Sequence, residues 1–231
     1  MITISATIMH TSSSSERKKA LKQLLCQLSL QGAKDHWVSL DVKDDWLRQG
    51  HWYNAKRCWQ IGEKSQATHH LHMQDDIRVC HNFVEGIKSV IAAFPDEIIS
   101  IFHGPRKAFN GSARWGQSEG AWGQGIIMPV AMVKEFLIWE RQNIDPCFPH
   151  DDSRVSLFAI KTGRRVLIPF PNLIDHRDDE LKSILGHRWN KPRVSSDFMG
   201  DRDPANFDWN QKEPMMKSIN SFTQYNKYLI R

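Results

Sequence analysis

Apolar positions along the chain alternate between two periods, one of about two residues and one of about 3.6, and that alternation predicts the elements. Ile2 to Met9 is a short β-branched run that reads as a strand, and His10 to Ser15 is a polar loop. Ser13-x-x-Glu16 has the spacing of a capping box, and Leu21, Leu24, Leu25 and Leu28 share one face of a helix from about Ser14 to Ser29. Trp37 to Asp41 reads as a second strand, giving a β-α-β opening with the right-handed parallel crossover as default. Gly50 leads a helix with Trp52, Ala55 and Trp59 on one face. The run His69-His70-Leu71-His72-Met73-Gln74-Asp75-Asp76-Ile77 is a strand ending on two adjacent carboxylates, with a helix expected after it through Val79, Phe83, Ile87, Val90 and Phe94.

Further on, residues 98–103 form another strand, and 104–125 is a Gly- and Trp-rich stretch with weak periodicity. Gly125 to Pro129 is a strand, and Val130, Val133, Phe136 and Leu137 mark a helix ending near Gln142. His150-Asp151-Asp152-Ser153 opens a helix that closes at Gly163, with one aspartate expected as its N-cap. Arg164 to Phe170 is the last core strand. Residues 1–196 thus read as one α/β domain, a mixed, mostly parallel sheet flanked by helices. Residues 197–231 read as a C-terminal extension, packed on it or flexible.

Composition adds little constraint. A chain of 231 residues with 40% hydrophobic and 25% charged residues suits one soluble core. No apolar run approaches the ~20 residues of a membrane span, and the N-terminus lacks a signal peptide's pattern. Four widely spaced cysteines suit free thiols in a reducing cytoplasm. A net charge of +5 leans toward a polyanionic partner, although scattered charges also serve solubility.

Chemistry concentrates where acids sit at element ends. In open α/β sheets ligands bind beyond the carboxyl ends of strands, so Asp75 and Asp76 are placed for it. Adjacent carboxylates repel unless a cation lies between them, and a divalent ion bridging to phosphates is one solution. The plain alternative is that one of them caps the next helix. The strand histidines read as sheet-packing or surface residues, because nothing completes a His-rich site at zinc spacing. Arg106, Lys107, Arg114, Trp115 and Trp122 interleave bases with aromatics, as single-strand and flipped-base binders do, or form a loop whose tryptophans pack back on the core.

An apolar strand ending in Gln74-Asp75-Asp76 resembles the metal-binding strand end of GT-A-type glycosyltransferases, in particular small bacterial and bacteriophage ones. Gly50-His51-Trp52 before that strand, and Pro171-Asn172-Leu173-Ile174-Asp175-His176 and Ser195-Ser196 after it, resemble motifs of the same family in the same order. The resemblance implies Asp76 and His176 as ligands of Mn²⁺ or Mg²⁺, and Asp75 as a donor contact. His10, Thr11, Arg17, Asn54 and Arg57 would also face a nucleotide sugar, a UDP-sugar first. It implies Asp152 as the base that takes the acceptor hydroxyl's proton, with Asp151 next in line, in an inverting transfer. Lys107, Arg114, Trp115 and Trp122 would then meet the acceptor, with a hydroxylated base in phage DNA considered beside a saccharide, and the host cytoplasm as the place of action. A metal-dependent nuclease or phosphoryl transferase, and a non-enzymatic nucleic-acid-binding module, are the rival classes.

Overall fold

The computed structural model describes residues 1–12, 14–45, 50–104, 113–181, 192–195, 197–217 and 223–230. In chain order the strands are β1 (Ile4–His10), β2 (Ser39–Asp44), β3 (His69–Gln74), β4 (Ile77–Val79), β5 (Ile98–Ser100), β6 (Trp115–Ser118), β7 (Gly125–Pro129), β8 (Val166–Pro169), β9 (Ile174–His176) and β10 (Met215–Lys217). The helices are α1 (Ser15–Leu30), α2 (Ala33–His36), α3 (His51–Lys64), α4 (Phe83–Ala93), α5 (Val130–Asn143) and α6 (Asp151–Thr162). Eight strands form one sheet in the order β10-β6-β8-β5-β7-β3-β1-β2. β1 pairs in parallel with β2 and β3, β5 with β8 and β6 with β10, while β7 runs antiparallel to both its neighbours and β8 to β6.

Both faces of the sheet are covered, so its inner strands, such as β1, β3, β7 and β8, are buried on both sides rather than alternating between core and water. On one face Ile4, Ala6, Ile8, Leu71, Met73 and Ile127 meet α1 and the apolar helix α4. On the other, Ile126 and Met128 meet α3, α5 and α6. That second face also carries polar side chains. Ser5 Oγ and Thr7 Oγ1 lie 2.9 and 3.1 Å from the two ring nitrogens of His70, whose burial pushes its pKa down to about 3. The neutral ring fits under α3 only because Gly62 is there: a Cβ would come within 2.4 Å of His70 Cγ.

Several boundaries differ from those predicted. Ser14, not Ser13, caps α1, accepting from Arg17 N at 3.1 Å, and Ser13 lies outside the described residues. The strand expected over Trp37–Asp41 is Ser39–Asp44, paired in register with β1. Ile77–Val79 is a strand rather than the start of the helix, because it pairs with β9 and α4 begins only at Phe83. Neither aspartate caps α6: His150 holds the cap position, and Asp151 and Asp152 are the first two helical residues.

The described part of the C-terminal extension wraps the core. Trp209 is buried, Trp115 Nε1 donates to its carbonyl at 2.8 Å, and β10 adds a strand beside β6. No helix among the described residues is long and apolar enough to cross a membrane.

Candidate active site

Three parallel strands, β2, β1 and β3, end side by side, and their carboxyl ends deliver Asp44, His10 and the Asp75-Asp76 pair to one edge. The amino ends of α1, α3 and α6 are drawn to that edge by the side chains described next. An N-terminus brings free N–H groups and partial positive charge, which suits acids and anions.

Asp75 is fully engaged. One carboxylate oxygen pairs with Arg17 Nη1, and the other lies 2.5 Å from His10 Nδ1 and 3.3 Å from Thr11 N. Asp76 Oδ2 lies 2.8 Å from Arg17 Nη2 and 3.0 Å from His176 Nε2. Burial pushes the Asp76 carboxyl up, but the charge and hydrogen bond of His176 and the charge of Arg17 outweigh it and hold it well below the usual carboxylate range. His176 arrives from 100 residues away because β9 pairs with β4, setting His176 opposite Ile77, and Arg177 N donates to Asp76 O at 2.8 Å. Asp76 Oδ1 and His176 Nδ1 are buried with no hydrogen-bond partner.

Asn54 and Arg57 support this edge from α3. Asn54 Nδ2 donates to His10 O and Lys43 O at 3.0 and 2.9 Å, tying the ends of β1 and β2 together, and Arg57 Nη1 donates to Asp44 O at 3.2 Å.

The second acidic pair lies beside the first. A Cβ built on Gly123 would stand 2.9 Å from Gln74 Nε2 and 3.3 and 3.5 Å from the Asp151 oxygens, so the strand end before Asp75 and the start of α6 meet at this glycine. The Asp151 oxygens face two imidazoles, His51 Nδ1 and His72 Nε2, each at 3.4 Å. Burial would raise the Asp151 carboxyl, but His51 and His72 bring it down to about 2. Asp152 goes the other way, pushed up to about 6 by burial and by the Asp151 charge. Its Oδ1 accepts from Ser153 N at 2.6 Å. Two adjacent acids thus divide into one that stays ionised and one that titrates near neutrality.

His51 and His72 were missed in the sequence, and the packing reading of His72 is incomplete. Its ring lies 4.9 Å from that of Trp59, but its Nε2 is turned to Asp151. A polar residue two positions before Gln74, in a strand buried on both faces, was the available signal.

The described residues of the Arg/Trp stretch do not gather. Trp115 has no exposed surface; it packs edge-on to Phe94 and Trp209 and offers nothing to an acceptor. Arg114 lies over the Phe207 ring, 4.9 Å from its centroid. Lys107 and Arg106 lie outside the described residues. Among the described ones, Trp122 is next to Gly123, with its ring 6.2 Å from that of His103.

No protein-family model matches the sequence, and no curated protein matches it. Among solved structures, TarS 1-349 from S. aureus is similar over 75% of this chain and 59% of that one, at 9% identity and a TM-score of 0.50. A197 from STIV aligns over 76% of this chain and 85% of its own, at 12% identity and a TM-score of 0.47. A glycosyltransferase involved in the glycosylation of the major capsid of PBCV-1 aligns over 72% and 83%, at 14% identity and 0.44. At such identities a likeness speaks to the fold alone. The chain has a GT-A-like mixed α/β fold, a large, mostly parallel sheet flanked by helices.

Proposed function

We propose that the protein transfers a sugar from a nucleotide-sugar donor to a hydroxyl acceptor. The observation that carries this reading is the meeting, at one sheet edge, of a strand-end acid pair bound to Arg17 and a helix-start acid pair of split basicity. Arg17 and the amino end of α1 suit the anionic diphosphate of a donor, and the acid pair with the ends of β1 and β2 suits the hydroxyls and base of its nucleoside. The second supplies a base. A neutral hydroxyl is a weak nucleophile, and a carboxylate that titrates near the working pH removes its proton best, so Asp152 takes that role and Asp151 is the fixed charge that raises it.

Mn²⁺ or Mg²⁺ fits this donor set. Asp76 Oδ1 is a buried carboxylate oxygen without a partner, and Asp76 together with His176, once its imidazole leaves Asp76, would hold the ion. Bound there, it would supply positive charge against the diphosphate leaving group. A two-metal nuclease is less well served, since both Asp75 oxygens are taken.

For the acceptor, Trp122 is the described tryptophan next in sequence to Gly123, its ring half-buried against Phe102 and His103. With Trp115 in the core and Arg114 on Phe207, a saccharide acceptor is favoured over a DNA base. The test is a thermal-shift screen of nucleotide sugars with and without Mn²⁺, for the wild type and Asp76→Asn. Stabilisation by a nucleotide sugar that depends on Mn²⁺ and is lost in Asp76→Asn supports the reading. Stabilisation by DNA alone, or cleavage of DNA, would replace it.

A further inference from the structure

Two adjacent buried carboxylates need a cation, and in this protein a side chain already fills the place. Arg17 Nη1 pairs with Asp75 Oδ1 and Nη2 lies 2.8 Å from Asp76 Oδ2, with all three side chains less than a tenth exposed. Such forked contacts are among the stronger hydrogen-bonded ion pairs. Asp75 has no oxygen left over, since His10 and Thr11 take its second one. Only Asp76 Oδ1 is free. A divalent ion arriving at that oxygen meets the guanidinium on the other oxygen of the same carboxylate, and like charges at such separations repel strongly when water is excluded. Arg17 also belongs to the first turn of α1, where the partial positive charge of the helix end favours an anion.

We propose that Arg17 is the resident counter-cation of the Asp75–Asp76 pair and the group that a diphosphate claims, so that a divalent cation enters at Asp76 only after a diphosphate has drawn the guanidinium away. No bond is made or broken; one ion pair is exchanged for another. The inference concerns the same strand end as the donor site and rests on that reading for the diphosphate, but binding of Mn²⁺ alone requires neither donor nor acceptor.

Mn²⁺ alone is titrated calorimetrically into the wild type, Arg17→Gln and the double variant Arg17→Gln/Asp76→Asn. The wild type should show little or no saturable binding. Arg17→Gln should gain a site about tenfold or more tighter, the effect of removing one cation close to a carboxylate, and the double variant should lose it. Equal Mn²⁺ affinity in the wild type and Arg17→Gln, or no site in folded Arg17→Gln, overturns the proposal. Should Arg17→Gln not fold, Arg17→Lys replaces it, since one ammonium cannot bridge both carboxylates as the fork does. Mn²⁺ affinity in Arg17→Lys no greater than in the wild type then refutes it. In a final arm UDP is added to the wild type, where it should bring Mn²⁺ binding with it. If Mn²⁺ binds Arg17→Gln but UDP never recruits it to the wild type, the nucleotide-donor reading falls while the counter-cation role of Arg17 stands.

Discussion

Asp151→Asn tests the division of labour in the helix-start pair most directly. The substitution keeps the shape of the side chain and removes its charge, which stands beside Asp152 at the start of α6. The Asp152 carboxyl is pushed up to about 6 first by burial and second by Asp151, so removing Asp151 should undo part of the shift and leave the part due to burial. A neighbouring carboxylate shifts its partner by about one unit or more, worth roughly 1.4 kcal/mol per unit. The Asp152 midpoint should therefore fall by about one unit and still lie above that of an ordinary aspartate. Carbon-detected NMR titration of the side-chain carboxyls reads this in the free protein, without any substrate. Stability should follow. An acid whose pKa is raised by folding favours the folded state when protonated, and that contribution fades as pH rises from the ordinary carboxylate range to about 6. The fade should end at lower pH in Asp151→Asn, as seen in urea denaturation across pH. An Asp152 midpoint that does not move, or one at the ordinary value in the wild type, would refute the electrostatic coupling and with it the choice of Asp152 as base.

Three further substitutions probe the packing that holds the site. Gly123→Ala brings a methyl carbon to 2.9 Å from Gln74 Nε2, the far end of a flexible side chain that can turn aside, and to 3.3 and 3.5 Å from the Asp151 oxygens, so it should cost no more than about 1 kcal/mol in urea denaturation; a much larger loss would show that Gln74 and Asp151 cannot give way. Trp115→Ala should cost about 3–5 kcal/mol of stability, the price of emptying a core site, and a well-folded variant altered only in acceptor binding would restore Trp115 to the acceptor surface. Glu140→Ala strips the buried Arg154 guanidinium of its carboxylate partner and should cost about 3–5 kcal/mol, with a loss under about 1 kcal/mol showing that the four contacts of Arg154 to the carbonyls of Asp145, Pro146 and Phe148 suffice.

Much of this protein is written locally. The leucines of α1, the apolar face of α4, the β-branched β1 and the glycine after α6 each follow from contacts a few residues apart, where period and propensity act. The acid pairs at Asp75-Asp76 and Asp151-Asp152 were legible for the same reason, as polar residues at the ends of apolar runs. What fills the space around them was not. Arg17 was expected only as a donor contact implied by the resemblance, and its place between two carboxylates exists only because β1 and β3 pair in parallel and end together. His176 was set beside Asp76 only by the resemblance, because the two-stranded pairing that carries it there is too short to announce itself, and that pairing cost the predicted helix its first turn. His51 and His72 face Asp151 because α3, β3 and α6 converge on one sheet edge, whereas along the chain one opens a helix and the other alternates in a strand. Trp115 went from an acceptor candidate to the core because Phe94 and Trp209 close over it from distant segments. Period fixes which face a side chain takes, but the partner on that face is chosen by strand order and by the loops that return the chain to it, and neither is encoded within a window of a dozen residues.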